Sequence, residues 1–330
     1  MYFSNSKPWK ILKEDIRLFW EFYPRTGADL IYSRLLGKKR RPSSYAGRRV
    51  QTLENGNESL KQKILSGEPF FAGRIGNNEL LLMRLAYFSN HGYSRKEDWD
   101  SFWLNCENCG LFPVEKQTII GFGDLMANAL THCDFLFVWY NILEDYFTRK
   151  YTSSDTILSH RKVLDFWNFE QPWTQALENK KVLVIHPLDE LIQRQYRKRE
   201  QLFGSNNVLP EFQLHTLRAV QTIAGCRDER FPTWFDALDY MYEEAMKIDF
   251  DIALIGCGAY GFPLAAKLRQ AGKQVIHMGG VTQILFGIRG QRWDRDGEPL
   301  LLRYINDAWV RPERADVPQK GEQVEGNCYW

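Results

Sequence analysis

Residues 250–278 read Phe-Asp-Ile-Ala-Leu-Ile-Gly-Cys-Gly-Ala-Tyr-Gly-Phe-Pro-Leu-Ala-Ala-Lys-Leu-Arg-Gln-Ala-Gly-Lys-Gln-Val-Ile-His-Met. The residue types spell strand, glycine-rich turn, helix, strand. An apolar run, Ile252 to Ile255, enters a turn carrying Gly256, Gly258 and Gly261. Leu264, Ala265 and Leu268 then follow helical spacing, Gly272 stops the helix, and Val275 and Ile276 begin a second buried strand. In such a unit the glycines let backbone approach a phosphate, and the helix start offers unpaired N–H groups to the anion. A dinucleotide fingerprint also wants an acid closing the second strand, to hold the ribose hydroxyls. That place holds His277-Met278-Gly279-Gly280 instead, which points to a nucleotide other than NAD.

Working outward, the unit repeats its logic. Pro69 to Gly76 reads as a strand running into a glycine turn, with Asn77 or Asn78 capping an apolar helix from Leu80 to Tyr87. A helix is predicted over 58–66, another near 99–109, another around Gly121 and Gly123, and a strand over Phe135–Trp139. Lys181 to Pro187 is a clear strand, a basic helix follows over about 189–202, and Pro232–Lys247 is helical. Strands alternating with helices predict an α/β fold with a mainly parallel, doubly wound sheet. Three domain-level segments are expected. Residues 1–57 form a basic amphipathic helical extension, 58–310 the main domain, and 311–330 a tail docking through its terminal Tyr-Trp.

Composition narrows the function classes. The 330 residues carry a net charge of +2, which argues against nucleic acid as a partner, and 14% aromatics, which argues against disorder. The charge is uneven: residues 1–50 hold 12 Lys/Arg against 4 Asp/Glu. With Trp9, Trp20 and Tyr23, that segment reads either as a peripheral contact with an anionic membrane or as an extension packed on the domain. No run of about 18 apolar residues is present to span a bilayer. The N-terminus lacks the apolar stretch of a signal peptide, and the six scattered cysteines suggest a reduced, cytoplasmic protein. Cys106 and Cys109 lack a second pair for zinc and read as two ordinary thiols.

The strand ends that converge in such a sheet define candidate residues. Arg74 is a partner for phosphate or carboxylate, and Glu79 either a general base, a metal ligand or a helix-start acid favoured by the dipole. His186, before Pro187, is either a ligand contact or a satisfied internal histidine, and Arg289 and Arg292 form a candidate diphosphate clamp.

Phe71-Ala-Gly-Arg74-Ile-Gly-Asn77-Asn78-Glu79 resembles the Arg-Phe-Gly-Asp-Gly-Glu signature of GT-D fold glycosyltransferases. These are sugar-nucleotide enzymes first met as a domain of unknown function in bacterial surface-glycan loci. Asp251–Gly261, Ile276–Gly280, Gln283, Leu285–Ile288, Arg292-Trp293 and the terminal Gly-x-Cys-Tyr-Trp are similar to a GT-D-like branch of polysaccharide clusters. The resemblance covers about residues 60–330. It implies a Rossmann-like GT-D fold and a metal-assisted glycosyltransferase of the hexosyltransferase type. The donor would be a UDP-linked sugar, and the acceptor a lipid-linked glycan in capsule or O-antigen assembly. It implies Glu79 and Arg74 as catalytic residues. Gly76, Gly256, Gly258, Gly261, His277, Gly279, Gly280, Gln283 and Arg292 would bind the nucleotide sugar, joined by His186 and Arg289 from the reading of the residues above. Asn77 and Glu79 stand where the family's Asp and Glu hold Mn²⁺ or Mg²⁺; the amide at Asn77 brings no charge, so cation affinity should fall. Two rival readings are a catalytically degenerate glycan- or sugar-nucleotide-binding subunit and a NAD(P)-dependent oxidoreductase.

Overall fold

The computed structural model describes residues 44–92, 96–141, 143–204, 208–296 and 298–316. Nine strands form one sheet: β1 (Ser44–Tyr45), β2 (Arg48–Gln51), β3 (Phe70–Gly73), β4 (Phe135–Val138), β5 (Ile157–His160), β6 (Lys181–His186), β7 (Gln213–Arg218), β8 (Ile252–Ile255) and β9 (Gln274–His277). Their spatial order is β1-β2-β5-β4-β3-β9-β8-β6-β7. Only the β1–β2 hairpin is antiparallel; every other neighbouring pair runs parallel. The mainly parallel α/β sheet expected from the sequence is therefore present.

The central strands are continuous apolar runs because both faces are covered. Successive side chains alternate between two cores. Phe71, Leu183, Ile185, Ala253 and Ile255 enter one core. Phe70, Ala72, Val182, Val184, Ile252 and Leu254 enter the other. Helices α1 (Leu53–Leu65), α2 (Asn77–Asn90), α3 (Lys96–Cys109), α4 (Lys116–Thr131), α5 (Glu144–Tyr151), α6 (Asp189–Tyr196), α7 (Trp234–Met246), α8 (Gly261–Gln270) and α9 (Val281–Leu285) flank it. Leu82, Phe122, Trp234 and Leu264 bring α2, α4, α7 and α8 to the first core. Leu60, Ile192 and Leu285 bring α1, α6 and α9 to the second. The sheet is doubly wound.

From β3 the chain steps outward through β4 to β5, whereas β9, coming from β8, lies on the opposite side of β3. The β3–β9 junction is thus where strand order reverses, and ligands in such sheets bind outside the carboxyl ends at that point.

Residues 44–57, assigned by the sequence to an extension, instead form β1, β2 and the first turn of α1, within the sheet and its flanking layer. Polar side chains explain the difference. The Arg48 guanidinium bonds Ser153 O and Thr152 Oγ1, Tyr45 donates to Glu144 Oε2 at 3.0 Å, and Thr52 caps α1 by accepting from Asn55 N. None of these partners has a hydrophobic pattern to announce it. The expected amphipathic helices of residues 1–43, and the docking of 317–330, lie outside the described residues. Of the tail, 311–316 is described, and Arg311 pairs with Asp294. Among the described residues no helix is long and apolar enough to cross a membrane.

Candidate functional site

A crevice of about 230 Å³ opens at the carboxyl ends of the strands, on the switch point. The loop after β3 supplies Arg74 and Gly76–Glu79, β4 supplies Trp139, and β6 supplies His186. The turn after β8 supplies Gly256–Tyr260, and the end of β9 supplies His277, Gly279, Gly280 and Gln283. Arg292 completes the wall.

Arg74 is held along two surfaces. Its guanidinium carbon lies 4.7 Å from the Trp139 ring centroid, and that of Arg161 lies 5.1 Å from the same ring. Against Gly279 it fits more closely still. A Cβ there would stand 2.1 Å from Arg74 Nη2, and the residue has φ +61°, which an L side chain rarely adopts. Only glycine lets the β9 turn and the guanidinium share this space.

The glycine turn after β8 is equally constrained. A Cβ on Gly256 would meet His186 Cδ2 and Thr282 Oγ1 at 2.6 Å, so the turn is wedged between the ends of β6 and β9. Gly258 borders open space and is required instead for its φ of +60°. Gly261 opens α8, where a Cβ would sit 2.4 Å from His277 Cδ2. It stands outside the crevice lining and serves close packing of helix on strand.

Glu79, third residue of α2, folds back over the helix start. A Cβ on Gly76 would lie 2.1 Å from its Oε2. This is where a helix favours a carboxylate, close to unpaired N–H groups and the positive dipole end. Asn77 is exposed at the same turn. Among the described residues no group of three or more His, Cys, Asp or Glu could hold a metal ion. One carboxylate bent toward its own helix and one neutral amide do not fit a divalent cation held by the protein itself.

Both histidines are neutral. Burial pushes His186 down to about 3, and burial together with the neighbouring Arg74 charge pushes His277 to about 3. His186 Nδ1 accepts from Leu188 N at 3.1 Å. Neither nitrogen of His277 makes a hydrogen bond of normal geometry, and both are sealed from water, although the Arg74 backbone lies close enough to favour the protonated ring slightly.

No protein-family model matches the chain, and no curated protein matches it either. Two solved structures of a domain of unknown function, number 1792, are similar to it. One, described as having a distinct glycosyltransferase fold, shows 10% identity and a TM-score of 0.43 over 84% of this chain and 94% of that one. The selenomethionine form shows 9% identity and a TM-score of 0.34 over 82% and 98%.

Of the residues expected from the sequence, the crevice gathers Arg74, Gly76, Asn77, Glu79, His186, Gly256, Gly258, His277, Gly279, Gly280, Gln283 and Arg292. Arg289 stands outside the lining and is engaged by Asp294, with Nε 3.1 Å from Oδ1. The expected pair of arginines is therefore split.

Sequence reasoning missed Trp139 and its support. Glu144 is fully buried and accepts from Trp139 N at 3.0 Å, Asn141 N at 3.2 Å and Tyr45 Oη at 3.0 Å. These bonds hold a loop in which Tyr140 and Leu143 both have positive φ. Burial nonetheless raises the Glu144 carboxyl to about 7. Asp165, 3% exposed, is likewise raised to about 7 by burial despite Arg161 at 3.9 Å. A tryptophan directly after an apolar strand was the available sign for Trp139; Glu144 looks like any acid in a helix's first turn.

Proposed function

We propose that the chain is a glycosyltransferase that takes a sugar from a UDP-linked donor and passes it to a hydroxyl of a saccharide acceptor. The acceptor is a lipid-linked glycan of a surface polysaccharide. The observation that carries the reading is the meeting, in one crevice at the switch point, of an arginine laid on glycine backbone and the glycine turn at the start of α8. That combination suits a diphosphate: a planar guanidinium for its oxygens, and N–H groups that glycine leaves approachable. His277 at the end of β9, where a dinucleotide site would place an acid, favours a sugar nucleotide over NAD.

In the reaction, the bond from the anomeric carbon to the diphosphate oxygen breaks as the acceptor oxygen bonds that carbon. The leaving diphosphate takes the electron pair, and the acceptor proton passes to a base, for which Glu79 is the carboxylate that lines the crevice. Arg74, Arg292 and backbone N–H groups stabilise the charge that develops on the diphosphate. No step is assigned to a metal. The excess of basic residues in 1–50 supports a peripheral contact with an anionic membrane from the cytoplasmic side, where a lipid-linked acceptor would be met.

The test is thermal stabilisation with and without Mn²⁺. UDP or a UDP-sugar at about 100 times its dissociation constant should add roughly 2.7 kcal/mol, and NADH should add nothing. Stabilisation by NADH alone would overturn the reading. Binding of UDP-sugars without turnover in any acceptor screen would favour a binding-only subunit, the reading to which the neutral Asn77 lends itself.

A further inference from the structure

We infer that His186 is a tautomer-locked hydrogen-bond donor to a phosphoryl oxygen of the bound diphosphate. For the identity of that ligand the inference rests on the function proposed above.

The lock comes from the end of β6. The backbone N–H of Leu188 points into Nδ1 at 3.1 Å. A neutral imidazole whose Nδ1 accepts must carry its proton on Nε2. The ring is 4% exposed, and burial keeps it neutral across the physiological range. Nε2–H is therefore a donor, with no lone pair to accept and no charge to gain.

Nothing among the described residues accepts that proton. Yet Nε2 differs from the two nitrogens of His277, which are unpartnered and sealed from water. His186 is a wall residue of the crevice, and its Nε2 is not among the sealed, unpartnered side-chain atoms. A donor fixed at the wall of the crevice meets water when the site is empty and is available to an acceptor that displaces it.

Its surroundings identify the acceptor. Cδ2, the ring atom bonded to Nε2, lies 2.6 Å from the point a Gly256 Cβ would occupy. The imidazole edge thus packs on the turn whose glycines allow close approach of an anion. The other polar side chain at that point, Thr282, is already committed, donating to Gly279 O at 2.8 Å. A fixed, uncharged donor beside a guanidinium and a glycine turn suits an oxygen that accumulates charge as the diphosphate leaves, since it needs no reorientation.

The experiment uses the full chain with ¹⁵N-labelled histidine, titrated with inorganic pyrophosphate, UDP and uridine, alongside calorimetry on His186→Phe and His186→Gln. The wild type should show the neutral Nε2–H tautomer from pH 5.5 to 8, and both pyrophosphate and UDP should move the Nε2 resonance. His186→Phe should weaken UDP about threefold to tenfold, the worth of one neutral hydrogen bond, and leave uridine unaffected. His186→Gln, whose amide can accept from Leu188 and donate to the ligand, should stay within about twofold, with a pH profile superimposable on the wild type. An Nδ1–H or charged ring in the free protein, an equal loss for uridine and UDP, or no loss at all overturns the inference.

Its failure is separable from that of the proposed function. Tight UDP binding with an unmoved Nε2 refutes the role of His186 and leaves the function standing. A moved Nε2 with UDP no tighter than pyrophosphate does the reverse. If neither diphosphate binds, both readings fall.

Discussion

Glu144→Gln separates two opposing effects in the loop that carries Trp139. Three donors point at the Glu144 carboxylate and favour its ionised form, while complete burial favours the neutral form. Burial prevails, and the carboxyl stands at about 7 against 4.5 in a solvated chain. A folded value above the unfolded one contributes stability that is fully present below about pH 4.5 and disappears as pH rises through about 7. At about 1.4 kcal/mol per decade of proton affinity, that difference corresponds to about 3 kcal/mol. Glutamine keeps an oxygen for the Trp139 and Asn141 N–H groups and cannot ionise. The variant should therefore match the wild type near pH 4.5 and exceed it by up to about 3 kcal/mol at pH 8. Urea unfolding at pH 4.5, 6, 7 and 8, with unchanged m-values, measures the difference directly. Taking the difference between the two proteins cancels the pH dependence of every other group, including Asp165, which loses stability over the same range. A glutamine variant that is less stable than the wild type at pH 8, by a margin growing with pH, would show that the donors outweigh burial.

Three further outcomes are expected. Gly279→Ala would place a methyl 2.1 Å from Arg74 Nη2 and impose φ +61° on alanine; displacing the guanidinium should weaken UDP tenfold or more by calorimetry, about the worth of a charged hydrogen bond, and an unchanged affinity would mean Arg74 does not touch the diphosphate. Glu79→Gln should cost only about 0.3–1 kcal/mol of stability through the helix dipole but nearly abolish turnover, whereas Asn77→Asp, which adds a second carboxylate, should tighten Mn²⁺; an active enzyme indifferent to Glu79→Gln removes the base role. Deleting residues 1–43, which stops short of β1, should abolish co-sedimentation with anionic liposomes while leaving UDP binding intact, and equal sedimentation of both proteins refutes the membrane contact.

The strands the sequence made legible are those buried on both faces. Ile252–Ile255 and Phe135–Val138 are unbroken apolar runs that only a covered parallel sheet accommodates. The missed strands lie toward the two edges or carry too little pattern. Gln213–Arg218 is half-exposed, with Gln, His, Thr and Arg among its six residues, and Ile157–His160 has only two aliphatic side chains. Gly256, Gly258 and Gly279 were legible as a group because glycine after an apolar strand has few other uses. Arg289 was misplaced for a reason no local pattern reveals: Asp294, one turn on, engages its guanidinium. His186 was visible as a strand-end histidine, but its tautomer depends on Leu188 N–H, a backbone group that sequence does not position.

The polar contacts hardest to read in the sequence connect the sheet edge to the crevice. Tyr45 of β1 donates to Glu144, and Glu144 fixes the N–H of Trp139. The Trp139 ring is one of the two surfaces on which Arg74 rests, the backbone of Gly279 being the other. An exposed arginine loses rotamer freedom when it binds an anion, at a cost that approaches the gain from one hydrogen bond. Confining Arg74 beforehand between an indole and a glycine removes most of that cost from the binding step. The confinement is built during folding, where the buried carboxylate at Glu144 and the positive φ of Tyr140 and Leu143 are the stability given up for it. On this argument the hairpin Ser44–Gln51 belongs to the site as much as to the sheet, because without Tyr45 the support beneath Trp139 loses one of its donors.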